Sequence, residues 1–383
     1  MARNRVIYQS KAVYAGPDKD SNNAFINETG SNAPAQLKRV QSANYGFDIA
    51  RTDVNQFGKL AAIDRIILES PTVNFDSSWY SCGWYNEDKI GLKINQATAK
   101  ASLEGVLADV LENNAGERNY YVRVTADGED MNAVKTGAKN TNTTTAMGVK
   151  NSVIGIGNGF LSNYTIEGAV GGFPTASVTV EGLNINFITG TTTGHIPAVH
   201  PESGTAITDK EYTLGNYEDD GGSSNSLSAI KPGDVTLTFP SHASSKGQGG
   251  ADYSDLKVQS FNCAVDLARE PLQKLGSRFA FSRELTFPIT TTMSVDANVG
   301  DLMSGNLADI INNNRDDELI VSLNSGSNDW MKVVMKNAKL DSQSFSQGIG
   351  DNETVTLNWS AQIGSKTDSN NGLFLSGTAA ANG

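Results

Sequence analysis

Residues 39–51 read RVQSANYGFDIAR, and residues 257–269 read KVQSFNCAVDLAR. Aligned end to end at one constant offset, seven of these thirteen positions are identical: Val40/Val258, Gln41/Gln259, Ser42/Ser260, Asn44/Asn262, Asp48/Asp266, Ala50/Ala268 and Arg51/Arg269. Average composition would supply roughly one identity by chance, so the match marks an internal repeat. The alternation says more than the identities. Tyr45, Phe47 and Ile49 alternate with Asn44, Gly46 and Asp48, just as Cys263, Val265 and Leu267 alternate with Asn262, Ala264 and Asp266. A period of two describes a strand with one apolar and one polar face, and both copies assign the same positions to each face. Cys263 stands where the first copy has Tyr45 and is expected to be a buried small hydrophobe.

Outward from this strand, the correspondence passes Gly58/Gly276 and reaches RIILESP (65–71) against RELTFP (283–288), aligned with one inserted residue. A helix is expected next in each copy. In ASLEGVLADVLENN (101–114) the residues Leu103, Val106, Leu107, Val110 and Leu111 form one apolar stripe, and LMSGNLADIINNN (302–314) keeps Met303, Leu307, Ile310 and Ile311. A strand follows, NYYVRVTAD (119–127) or ELIVSLNS (318–325), and then a strand pair ending in TASVTVEGLNI (175–185) or ETVTLNWSAQI (353–363).

The predicted fold is mainly β, an α+β sandwich repeated as two tandem domains, residues 39–186 and 257–365, each with one flanking helix. Three segments fall outside the repeat. Residues 1–38 form an N-terminal arm whose alternating stretch Arg5 to Tyr14 suits strand addition to a neighbour. Residues 187–256 are a polar Gly/Ser/Thr-rich insertion with a strand expected at VTLTFP (235–240), and residues 366–383 read as a flexible tail.

Composition bounds the function. The 383 residues suffice for two or three domains, and 38 glycines with a hydrophobic fraction of 38% suit short strands joined by tight turns. Thirty basic against forty-two acidic residues give a net charge of −12, so the surface should repel a phosphate backbone and a sequence-reading DNA binder is disfavoured. The chain lacks the apolar run of about 18 residues that a membrane helix needs, and Met-Ala-Arg-Asn-Arg-Val-Ile-Tyr is no secretory signal; synthesis in a cytoplasm, without membrane insertion, is expected.

No residue pattern points to catalysis, a metal or a cofactor. All three histidines, His195, His200 and His242, lie in the insertion; Glu202 or Asp209 would complete a metal set with the first two, but solvated loop side chains are the expectation. GIGNG (155–159) lacks a following Lys-Ser/Thr and reads as a turn; ADGEDMN (126–132) lacks the ligand alternation of a calcium loop. Cys82 and Cys263 make neither a disulfide framework nor a metal site, and the Trp79, Trp84, Tyr85 cluster is expected in the core. Asp48/Asp266 recur together with Arg51/Arg269. They suit either a surface ion pair worth ~0.5 kcal/mol or an inter-subunit contact made twice per chain.

The ordered set VQSANYGFDIARTDVNQFGKLAAIDRIILESPTVNFD, SNYTIEGAVGGFPTASVTVEGLN, VQSFNCAVDLAREPLQKLGSRFAFSRELTFPI and KNAKLDSQSFSQGIGDNETVTL resembles the major tail tube proteins of bacteriophages. The resemblance implies a structural virion protein of the tail, assembled in the host cytoplasm, whose domains join side by side into rings. The inner strands would merge into one barrel, and the rings would stack into a hollow tube for DNA passage without sequence recognition. Implied partners are further copies of the chain, tape-measure, baseplate and terminator proteins, and in contractile tails a sheath. Many members carry one domain and form hexameric rings. This chain, with two, fits trimeric rings of pseudo-sixfold symmetry, hexameric rings of two-domain chains being the alternative. Six domains of about four strands each, at ~4.8 Å spacing and ~40° tilt, give a backbone diameter near ~48 Å and a bore of roughly 35–40 Å, wide enough for a duplex. The expected interface or lumen-lining residues are Asn44, Asp48, Arg51, Asn262, Asp266 and Arg269. Two other classes stay open: a baseplate or tail-terminator ring protein of the same fold, and a glycan-binding β-sandwich adhesin.

Overall fold

The computed structural model describes residues 10–17, 19–20, 24–68, 71–95, 103–112, 116–125, 131, 152–189, 193–215, 230–231, 234–238, 257–276, 279–298, 316–325, 328–347 and 352–377. The fold is mainly β. The first half holds β1 (Lys11–Pro17), β2 (Ala35–Gln36), β3 (Val40–Asp48), β4 (Thr52–Val54), β5 (Asp64–Ile66), β6 (Thr72–Tyr80), β7 (Ile94–Asn95), β8 (Glu117–Val124), β9 (Ser152–Ala169) and β10 (Thr175–Gly182). Between the halves lie β11 (Asn184–Thr189), β12 (Thr193–His195), β13 (Glu211–Thr213) and β14 (Val235–Thr238). The second half holds β15 (Lys257–Asp266), β16 (Arg269–Leu272), β17 (Ser282–Leu285), β18 (Thr290–Asn298), β19 (Asp317–Ser325), β20 (Asn328–Ser346), β21 (Thr354–Gln362) and β22 (Gly372–Ser376).

One large sheet runs in the order β14-β19-β20-β21-β18-β15-β9-β10-β6-β3. Its pairings repeat along the chain. Ser42 faces Ser78 across β3 and β6, and at the offset of the sequence repeat Ser260 faces Asp296 across β15 and β18. Both pairs slip in register at the same place, beside Gln41 and beside Gln259. Each glutamine amide then donates to the carbonyl two positions back, Arg39 O and Lys257 O, at 3.0 Å. A bulge leaves one residue out of the ladder, and a side-chain amide that satisfies a nearby carbonyl stabilises it.

The match continues beyond these strands. The hairpin β4–β5 pairs Thr52 with Ile66, and β16–β17 pairs Glu270 with Glu284 in the same register and at the same offset. The insertion expected between RIILESP and RELTFP is absent: Arg65 aligns with Arg283 and Thr72 with Thr290 at one unbroken offset, and the two prolines simply occupy neighbouring positions. β10 on β9 and β21 on β20 share a further bulge, between Thr179/Val180 and opposite Leu340/Ser342. Gly58 and Gly276, at the hairpin tips, have φ of 87° and 90°, a region that glycine reaches without a Cβ clash.

Segments expected outside the repeat take part in the same pattern. β1 adds to β8 as β14 adds to β19, so the arm strand joins its own chain. β11 follows β10 and pairs with β9, as β22 follows β21 and pairs with β20. The expected flexible tail, residues 366–383, is thus corrected over Gly372–Ser376: Leu373, Phe374 and Leu375 are wholly buried. A run of three apolar residues binds an open strand edge and an apolar layer at once, which offsets its ordering entropy.

Helix is scarcer than the periodicity predicts. In the first half the expected helix is reduced to Ala108–Glu112 (α2), although Leu103, Val106, Leu107 and Val110 are buried as the stripe requires. A short helix at Tyr85–Lys89 (α1) has no counterpart in the sequence reading. The second expected helix, 302–314, lies outside the described residues. GIGNG is no turn: it sits inside β9, where a Cβ on Gly157 would come 2.3 Å from Pro197 O. Glycine there allows the insertion to lie directly on the strand. Trp79 and Trp84 are buried as expected, their indole N–H groups donating to Glu87 Oε1 (3.1 Å) and Ser376 O (2.7 Å). One apolar core spans both halves, and a smaller one under the insertion joins Tyr14, Tyr121, Ile196, Ile207 and Tyr212. Among the described residues no helix is long and apolar enough to cross a membrane.

Candidate functional site: a polar sheet face between two open edges

Eight segments of the large sheet form a run in which the halves meet: β3-β6-β10-β9, then β15-β18-β21-β20. The meeting is direct backbone pairing. β9 and β15 are antiparallel from Ser260 opposite Ala169 to Asp266 opposite Asn163, with Cys263 facing Ile166 and Val265 facing Tyr164. All four of these side chains are at most 1% exposed. Burial pushes the Cys263 thiol up to about 12, so it behaves as the expected hydrophobe.

Alternation sends the opposite side chains outward. Asn44, Asp48, Asn262 and Asp266 lie on this face, and all four are exposed. Cross-strand neighbours extend it, Asn44 to Asp76, Asp76 to Thr179, Thr179 to Asn163 and Asn163 to Asp266. Its carboxylates include Asp48, Asp76, Glu167, Glu181, Asp266 and Asp296. Hydroxyl and amide side chains tie several of them down. Thr179 Oγ1 donates to Asp76 (2.8 Å), Thr175 Oγ1 and Asn262 Nδ2 donate to Glu167 (3.1 and 3.3 Å), and Ser260 Oγ and Thr356 Oγ1 both donate to Asp296 (2.8 and 2.6 Å). Such bonding fixes an uncharged-to-acidic surface, one that presents oxygen acceptors and repels anions.

The two arginines of the repeat part company. Arg51 is exposed, whereas Arg269 is drawn into the junction, its Nε donating to Leu161 O (3.3 Å) and its guanidinium lying 5.0 Å from the Phe160 ring centre. Burial lowers the Arg269 pKa to about 10, helped by the like charge of Arg283. Arg283 in turn donates to Glu181 at 3.0 Å. The expected surface pairs Asp48–Arg51 and Asp266–Arg269 are not formed: each arginine leads into the hairpin, off the line of the strand that carries the aspartate, and Arg269 bonds instead across the junction. A cavity of about 230 Å³ opens beside this junction, lined by Lys19, Glu117, Phe160, Arg269, Arg283 and Glu284 among others.

At either end of the eight-strand run an edge is unpaired among the described residues. One is β3. The other is the last part of β20, where residues 339–346 pair with β21 alone. Positions buried in the central junction are open here. Phe47, the counterpart of Val265, is 57% exposed, and Phe345, the counterpart of Ile166, is 52% exposed. The alternation of β3 predicts a buried face for Phe47; among the described residues nothing covers it at the end of the sheet. Sequence reasoning misses these apolar edge residues as site residues because alternation alone does not distinguish an interior strand from a terminal one. The hairpin β4–β5 beside this edge is likewise bare, with Phe57, Leu60, Ile63, Ile66, Ile67 and Leu68 exposed.

His195 sits on β12, and the His200 ring packs edge-on against Phe25 at 5.3 Å; His242 lies outside the described residues, as does all of ADGEDMN except Met131. Among the described residues no group of three or more His, Cys, Asp or Glu is placed to hold a metal. No protein-family model matches the chain, and no curated protein matches it.

Proposed function

We propose that this chain is the subunit of a ring-stacked tube, of the kind its sequence resembles in phage tails, and that it carries two copies of one tube domain. The observation that supports this reading is the β9–β15 junction. It joins a long strand of the first copy to the first strand of the second, head to tail, and at the ends the same two strand types are unpaired among the described residues. A head-to-tail contact that recurs must either close into a ring or continue as a filament, and closure removes edges that would otherwise aggregate.

Three chains would supply six copies and six junctions, three within chains and three between them. The acidic, hydrogen-bonded face would line the bore, where repulsion of phosphate keeps DNA from sticking during passage. Stacking has its own support. Leu275, at the tip of the hairpin already docked at the central junction, is as fully exposed as Phe57 at the tip of the other. Side-by-side contacts leave both tips bare, so an axial neighbour would bury them.

Negative-stain microscopy of the purified chain tests the reading. Hollow tubes with a regular ring repeat are the expected result. Isolated rings that never stack would favour a terminator or baseplate component, and dispersed monomers at every concentration would overturn the proposal.

A further inference from the structure

The structure fixes more than the existence of a contact between copies, because the central junction can serve as a template for the one between chains. Four registers support the transfer. β3 maps on β15 and β6 on β18 at the offset that carries Val40 onto Val258. β10 maps on β21, and the second part of β9 on that of β20, at the offset that carries Asn158 onto Asn337, each pair with its bulge in place. Moving the pairs Cys263–Ile166 and Val265–Tyr164 by these offsets yields one alignment of the two edges that are unpaired among the described residues.

Resting on the ring reading above, we propose that β3 of one chain pairs antiparallel with residues 342–347 of a second copy in a single register. Tyr45 stands opposite Phe345 of the second copy, Phe47 opposite Gln343, and Gly46 opposite Ser344. The register puts the exposed aromatic Phe345 against a half-buried one and leaves Asn44 and Asp48 on the polar face, opposite Ser346 and Ser342. A slip by one position would set apolar side chains of one strand against the polar face of the other, so burial specifies the pairing. Aromatic pairs directly opposite in a sheet are among the stabilising ones.

The same offsets seat the bare hairpin. At the central junction Leu267 N donates to Ser162 O (2.8 Å), Arg269 Nε donates to Leu161 O, and Leu285 packs against the core. Their counterparts place Ile49 N at Asp341 O, Arg51 at Leu340 O and Ile67 over the second copy's core. One feature differs. Lys339, paired with Asp316, stands where Phe160 does, so two guanidinium groups cannot stack there. Arg65, the counterpart of Arg283, is bonded within its own hairpin to Asp53 at 2.5 Å.

Cysteine pairs in the full chain test the register, since Cys82 and Cys263 are buried. Under a mild oxidant, Tyr45→Cys with Phe345→Cys should link chains covalently. Phe47→Cys with Phe345→Cys, diagonal in this register, should link about tenfold more slowly. Gly46→Cys with Ser344→Cys provides a second in-register pair that removes no apolar contact, in case loss of the aromatics prevents assembly. Faster linking of the diagonal pair would overturn the register while leaving rings intact. Rings or tubes by microscopy with neither in-register pair linking would overturn the edge contact. Absence of both rings and links would fell the ring reading itself. For the hairpin, Ile67→Asp should abolish assembly without shifting the melting of the dispersed chain; assembly at the wild-type level would overturn its seat.

Discussion

Asn158 and Asn337 occupy matching points in the strand pairings of the two halves, and both hold the left-handed backbone conformation, at φ of 51° and 54°. Each lies beside an acid at or just before the start of the preceding strand, Glu117 for Asn158 and Asp316 for Asn337. Each marks the point where one long strand stops pairing with one neighbour and starts pairing with another. Asparagine tolerates this conformation because its short amide can bond locally, and a bulge there re-aims the strand.

The two sites should respond unequally to substitution. Asn158 is wholly buried; its amide donates to the Glu117 carboxylate and to Val199 O (3.2 Å) and accepts from Val199 N (2.8 Å). Asn158→Ala should cost roughly 2–4 kcal/mol, from unfavourable backbone and stranded buried partners, while Asn337→Ala, on an exposed side chain, should cost about 1 kcal/mol. Urea denaturation midpoints at constant slope measure both. Equal effects would mean that the buried bonds around Asn158 contribute little.

Two buried acids set an unusual pH dependence. Burial raises the Glu28 pKa to about 8 and the Glu87 pKa to about 7, although Glu28 accepts from Asn119 and Tyr121 and Glu87 from Trp79 and Tyr164. A carboxyl whose folded pKa exceeds its unfolded value of 4.5 contributes stability that is fully present below that value and is lost as pH rises through the folded pKa. The chain should therefore lose stability from about pH 5 to pH 8, by ~1–3 kcal/mol per group. Glu87→Gln should flatten that slope, as melting temperatures across the range will reveal; an unchanged slope would exclude Glu87 as a source.

The segment Gly372–Ser376 is a structural strand. Phe374 is wholly buried, and Phe374→Ala should destabilise by about 3–5 kcal/mol. Truncation before Gly372 should abolish cooperative melting. A variant that melts like the parent would return these residues to the status of a mobile tail.

Charge on the polar face can be reversed. With Asp48→Lys and Asp266→Lys, DNA release from assembled particles should slow and become more sensitive to salt, because new phosphate contacts release counterions. Release unchanged in rate and salt dependence would count against a lumen lined by this face.

The repeated thirteen-residue stretch determined a good deal without any coordinates. Its identities and phase specified strands at Val40–Asp48 and Lys257–Asp266 and the apolar role of Cys263, because alternation and volume are local properties of the chain. The residues of the polar face, Asn44, Asp48, Asn262 and Asp266, were legible for the same reason. Tertiary structure decided the rest. The strand pairs β1–β8 and β14–β19, or β11–β9 and β22–β20, share no evident sequence, since an edge strand needs only backbone groups and any apolar side chains to add to a sheet. Arg51 and Arg269 occupy one position of the repeat yet differ in burial, because Arg269 lies at the β9–β15 junction whereas among the described residues no strand pairs along the outer edge of β3 beside Arg51. The contrast between Val265 and Phe47 has the same cause: sequence assigns a residue to a face, but only the order of strands decides whether that face is covered.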